Sequence, residues 1–228
     1  MSVIFDSSFI ILILALIISL FAQHKINSTF NKYLQINSIN GYTGAQVARM
    51  LLDYNGLYDI PVEIISGKLS DHYDPSNKVM RLSQDVFYGA SIASIGVAAH
   101  ETGHAIQHKE NYVPLSLRNS IVPVVNLSSN LSWILFILGM FLGWSGLFRL
   151  GILLFTAVVL FQLITLPVEF DASRRALNIL ENKSILSNDE LAGAKSVLSA
   201  AAMTYVAAAL MAISQLLRLI LISNRSRD

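Results

Sequence analysis

The chain has 228 residues, 54% of them hydrophobic and only 14% charged, with a net charge of +1 and no cysteine. Soluble domains carry about 25% charged residues, so this deficit and a mean hydropathy of +0.55 point to a bilayer, while the near-zero charge offers no basic field for nucleic acid. Disulfides and thiolate metal sites are excluded, and any metal must be held by His, Asp or Glu.

A spanning helix needs roughly 20 mostly apolar residues. The first such run extends from about Val3 to Ala22, with Asp6 near its outer end. It lacks a basic leader and a small-residue cleavage site, so it reads as a span and not as a signal peptide. A linker rich in Asn and Ser, Gln23 to Gly41, is expected next, with His24 at the membrane flank. Thr43 and Gln46 form a capping box. Val47, Met50, Leu51 and Tyr54 recur at helical spacing, and Gly56 stops that helix. Val62, Ile64 and Ile65 predict one strand, and Val79, Met80 and Leu82 another after the turn residues Asp74, Pro75, Ser76 and Asn77. Helical patterning returns from Ser91 to His108.

Leu131 to Leu147 and Leu150 to Val168 read as two further spans in a tight hairpin, with Arg149 between them and Gly143, Gly146 and Gly151 near the turn. Glu169 to Ser199 reads as two helices, the later one opened by a Ser187–Glu190 capping box. Ala200 to Ile222 is a fourth apolar segment. Its Ala207, Ala208 and Ala209 suit close helix packing, and Arg218 is placed to snorkel.

The expected fold is therefore a mainly α membrane protein with about four transmembrane helices and a small α+β extramembrane domain holding a short two- or three-stranded sheet. Its divisions are a span over 1–22, the extramembrane domain over 23–130, a transmembrane hairpin over 131–168, a helical segment over 169–199, a last span over 200–222 and a tail over 223–228. Residues 23–130 carry eight Lys and Arg and residues 169–199 carry four, whereas the segment before the first span has none and the hairpin turn has Arg149 alone. By the positive-inside rule both basic segments are cytoplasmic and the N-terminus is outside. Arg225 and Arg227 run against a full fourth crossing. The chain is expected to be multi-pass in the cell membrane.

Residues 100 to 104 read His-Glu-Thr-Gly-His. Positions i and i+4 of a helix share a face, so His100 and His104 can bind one zinc ion through ring nitrogens. Glu101 stands beside the open position and can take a proton from the attacking water, whose pKa zinc lowers to about 7. A catalytic zinc site wants three protein ligands, and His108, Glu110, His72, Glu169 and Asp171 are candidates for the third. His108 continues the i+4 series but drifts by about 40° per step. Glu169 is favoured, because two spans separate it from His104 and both therefore end on one side of the membrane. Glu169, Ala172, Ser173 and Ala176 also share a small-residue face. Asp171 is a candidate for orienting a ligand histidine, and His72 for stabilising the oxyanion. The strand from Lys78 to Leu82 is a candidate for edge pairing with an extended peptide.

The stretch Asp71 to His108 (DHYDPSNKVMRLSQDVFYGASIASIGVAAHETGHAIQH), the stretch LPVEFDASRRAL from Leu166 to Leu177, and SAAAMTYVAAAL from Ser199 to Leu210 resemble the YugP-type neutral zinc metallopeptidases of bacterial membranes. The resemblance implies a membrane-embedded, zinc-dependent peptidase. More distantly the layout is similar to the HtpX-like membrane proteases, which place a two-span hairpin between HExxH and a glutamate ligand in a Glu-x-x-Ala-Asp pattern. The matching positions are Glu169, Ala172 and Ser173. Serine replaces the aspartate, with Asp171 nearby, which leaves open the group that supports the first histidine.

The expected protein is thus an integral-membrane zinc endopeptidase of the gluzincin kind with a zincin-like extramembrane domain, using one zinc ion, with a peptide or protein substrate and the lipid bilayer as partners and no nucleic-acid partner. A zinc-binding membrane scaffold without activity is the rival reading, and an intact Glu101 counts against it. A transporter is a third, and the lack of acidic residues at span centres counts against that.

Overall fold

The structure is a computed structural model and describes residues 7–225. The elements run α1 (Ser7–Leu34), α2 (Gly44–Tyr54), β1 (Val62–Ile65), β2 (His72–Asp74), β3 (Val79–Ser83), α3 (Gln84–Phe87), α4 (Ile92–Lys109), α5 (Val113–Phe141), α6 (Ser145–Asn182) and α7 (Asn188–Arg225). The protein is mainly helical with one small sheet. Four helices, α1, α5, α6 and α7, are long and apolar enough to cross a membrane. Asp6 and Arg227, which the sequence reading placed at the two ends, lie outside the described residues.

The chain divides into two compact units. One contains, among the described residues, those up to Gln23, 116–167, and those from Thr204 onward. Its helices turn large apolar side chains outward, among them Leu14, Leu20, Phe141 and Leu153, the arrangement a hydrocarbon solvent favours. Its interior is held by Phe136, Phe155, Val159, Ala212 and Leu219.

The other unit contains His24–Leu115 and Val168–Met203. Here α2 forms as its pattern predicts. Thr43 Oγ1 accepts from the Gln46 N–H at 3.2 Å, the Gln46 side chain accepts from the Thr43 N–H at 2.9 Å, and Val47, Ala48, Leu51 and Leu52 are buried. The sheet order is β1-β3-β2. β1 runs parallel to β3 with Val62 opposite Met80, and β2 runs antiparallel to it with Tyr73 opposite Met80. Asp74 shapes the β2–β3 turn by accepting from the backbone N–H groups of Ser76 and Asn77. Three hydrogen-bond donors and the Arg81 guanidinium hold its carboxyl well below the usual carboxylate range.

Several expectations need correction. β3 is the central strand, paired on both sides, so it offers no free edge to a peptide; the sheet's edges are β1 and β2. No linker begins at Gln23, because α1 continues to Leu34. Ile26 and Phe30, one turn apart, are buried in the core with Ala48, Leu52 and Met80, and that burial overrides the weak helix propensity of Asn and Ser. Glu169 does not start a helix, since α6 runs unbroken from Ser145 through Pro167. α7 is likewise one helix from Asn188, opened by the expected Ser187–Glu190 pairing. The turn between α5 and α6 lies at residues 142–144, where Gly143 adopts φ +61°, and Arg149 falls inside α6.

Gly44 shows how tightly α2 packs: a Cβ there would lie 2.2 Å from the Val86 carbonyl oxygen. Gly44→Ala is expected to cost about 1–3 kcal/mol through forced displacement of backbone, read as a melting temperature several degrees below wild type in detergent.

Candidate metal centre

The site is built on α4. Ser91 caps this helix, its hydroxyl accepting from the Ser94 N–H, and Asn111 closes it at φ +52° while the Tyr112 N–H returns to the Gln107 carbonyl. Small residues let neighbouring backbone approach. At Gly103 a Cβ would lie 2.6 Å from the carbonyl oxygen of Ala172, so only glycine permits α6 to pass this close. That approach brings Glu169 over the two histidines.

Glu169 Oε2 lies 3.3 Å from His100 Nε2 and 3.6 Å from His104 Nε2. The ring centroids of the histidines are 4.8 Å apart. A tetrahedral zinc ion with bonds of about 2.0–2.1 Å spaces its ligand atoms by about 3.3–3.4 Å. The three side chains thus form a set that could hold a metal ion, and their donor types suit zinc. His104 and Glu169 are buried.

Hydrogen bonding fixes how His104 presents itself. The Gln107 Nε2 group donates to the Val168 carbonyl at 2.9 Å and to Asp171 Oδ2 at 2.9 Å. Both partners only accept, so the amide orientation is determined and Gln107 Oε1 faces His104 Nδ1 at 3.0 Å. Nδ1 must then carry the proton, and in the neutral ring Nε2 presents its lone pair toward Glu169. Asp171 is itself anchored by Arg174 and by Arg175, whose Nη1 also reaches Glu110 Oε2 at 2.6 Å. His100 Nδ1 lies 3.1 Å from Ser173 Oγ. The serine that replaces aspartate therefore meets the first histidine, and Asp171 meets the second through an amide.

Glu101 is buried, and its Oε2 accepts the Tyr73 backbone N–H at 3.0 Å. The sheet thereby positions this carboxylate through strand β2. Burial pushes the carboxyl up to about 7, opposed mainly by His100, which brings proton exchange at this group close to neutral pH.

The other candidates lie elsewhere. His108 Nδ1 meets the Tyr73 hydroxyl at 2.9 Å, and burial raises that phenol to about 12. His72 Nδ1 donates to the Ser70 carbonyl, and its Nε2 is 3.4 Å from Arg81; it is the chain neighbour of the residue that holds Glu101. Glu110 pairs with Arg175, and His24 is exposed on α1. Sequence reasoning missed Gln107 altogether. Its signal was an amide three positions after His104 on one helix, where side chains are neighbours.

Residues 8–224 match the family described as "Putative neutral zinc metallopeptidase", and the chain belongs to it. It is similar to "Putative membrane protease YugP" of Bacillus subtilis (strain 168), with 53% identity over 216 residues, covering 95% of this chain and 96% of that protein. No solved structure matches the chain.

Ligating histidines depend on the groups that orient them, whose loss typically costs 10- to 100-fold in metal affinity. Gln107→Ala and Ser173→Ala are each expected to weaken zinc binding by roughly that factor, measured by competition with a chromophoric chelator. Unchanged affinity in both would remove the orienting role derived above.

Proposed function

We propose that this protein hydrolyses peptide bonds with one zinc ion held by His100, His104 and Glu169, and with Glu101 as general base and acid. The observation that carries this reading is the approach of Glu169 Oε2 to 3.3 Å from His100 Nε2 and 3.6 Å from His104 Nε2, with ligand atoms of all three residues within 4.8 Å of one another, beside the buried Glu101 carboxyl. Zinc in that position supplies a Lewis acid for the scissile carbonyl and acidifies the attacking water. Glu101 takes the proton from that water at its carboxylate and later delivers it to the departing amine nitrogen. Tyr73 holds Glu101 in place from the sheet, and Gln107 and Ser173 keep the imidazoles turned toward the reaction. Burial keeps bulk water from competing for these groups.

Glu101→Gln preserves shape and removes the proton acceptor. The purified variant is expected to retain about one zinc per chain, by elemental analysis, and to cleave an unfolded protein substrate on the order of 10²- to 10⁴-fold more slowly. Cleavage at the wild-type rate with zinc retained would eliminate this chemistry.

The reading also places residues 23–130 and 169–199 in the cytoplasm, on the charge asymmetry of the segments. Single cysteines introduced near Lys68 and near Arg149 test this, since the natural chain has none. An impermeant thiol reagent applied to intact cells is expected to label the Arg149 position and spare the Lys68 position. The opposite pattern reverses the topology.

A further inference from the structure

Away from the candidate metal centre, α1 and α7 border an open surface cavity of about 520 Å³. Its wall carries Lys25, Lys32 and Tyr33 from α1 and Lys195, Ser196 and Ser199 from α7. Lys25 and Lys32 stand two helical turns apart and share one face of α1, as Lys195 and Ser199, one turn apart, share one face of α7. Tyr33 packs on Gly193, where an added Cβ would come within 2.7 Å of the ring. The glycine thus lets the two helices close on that ring.

The cavity's charge is one-sided. No acidic residue lines it. Among the described residues none of the three ammonium groups forms an ion pair; Lys32 lies 5.1 Å from the Tyr33 ring centroid. Three cations around one hollow repel one another until an anion rich in oxygen enters. The position along both helices selects its source. On α1 the uncharged apolar run ends at Ala22, and Lys25 follows within one turn. On α7 the cavity's last residue is Met203, and residues 204–217 carry no charge. Both helices therefore change from apolar to charged at the cavity, each placing lysine there, where a bilayer presents its headgroups.

We infer that this cavity binds the phosphate-bearing headgroup of an anionic phospholipid from the surrounding bilayer. The ammonium groups of Lys25, Lys32 and Lys195 take the phosphate oxygens, with the Thr29 and Ser199 hydroxyls beside them; the Ser196 hydroxyl donates instead to the Ala192 carbonyl.

The test uses the full-length chain in a non-ionic detergent, titrated with phosphatidylglycerol or phosphatidylcholine and read by native mass spectrometry. Wild type is expected to prefer phosphatidylglycerol by at least about tenfold, since each basic residue near an anionic surface is worth about a fivefold factor. The combined change Lys25→Gln, Lys32→Gln and Lys195→Gln is expected to lower phosphatidylglycerol binding on the order of 100-fold, and the matching change to Arg to keep it. All three lysines are exposed, so melting temperatures should stay near wild type; should the triple Gln variant melt early, the single Lys→Gln variants, each expected to lose about fivefold, decide the matter. Three results would overturn the inference. One is undiminished binding in the Gln variants. Another is an equal loss when Lys78, Lys109 and Lys183 are changed to Gln instead, which would make binding a matter of total charge. The third is displacement of the lipid by millimolar inorganic phosphate, which would make the ligand a free phosphate.

Discussion

Three electron-rich atoms directed at one point repel one another, and a fold that buries them together must either supply a cation or keep a proton among them. His100 Nε2, His104 Nε2 and Glu169 Oε2 stand in that relation, at 3.3 and 3.6 Å about the carboxylate oxygen. Much of the surrounding structure enforces it. Gly103 and Ala172 bring the backbones of α4 and α6 together. The Gln107 amide, locked by two acceptors, fixes the tautomer of His104. Ser173 meets His100. Each contact is modest alone, and together they leave the three atoms little freedom to turn away.

The way this unit is wired explains its odd mixture of elements. A sheet of three short strands contributes little core, yet β2 delivers one backbone N–H to Glu101, and its turn is braced by Asp74 and Arg81. Asp171, buried in α6, would be costly as a lone charge. Two arginines on the next turn of the same helix and the Gln107 amide satisfy it. The polar groups behind the histidines thus form one connected network reaching from Glu110 to His104.

The membrane segments and the HExxH helix were legible in the sequence because each is a local signal: an apolar run, or a face repeating every turn. Glu169 was legible for a different reason, since counting crossings places it on the side of His104 without any knowledge of distances. The linker expected at Gln23 failed because Ile26 and Phe30 are buried by α2, β3 and α4, partners that a local window does not contain. The free edge expected at Lys78 to Leu82 failed similarly. A run of Val79, Met80 and Leu82 says that a strand forms, but whether it is central or at an edge depends on β1 and β2 joining from opposite sides. Gln107 was overlooked because its role exists only once Val168 and Asp171 arrive from far along the chain.

That separation along the chain has a temporal meaning. Synthesis delivers His100 and His104 well before Glu169, with the whole of α5 and most of the apolar part of α6 in between. During that interval the two imidazoles have no carboxylate partner, and a nascent chain, with its unfolded segments close by, lacks the third ligand of the proposed centre. If the proposed centre is the catalytic one, it cannot be completed until the hairpin has been made, and the nascent polypeptide is spared its own chemistry until then.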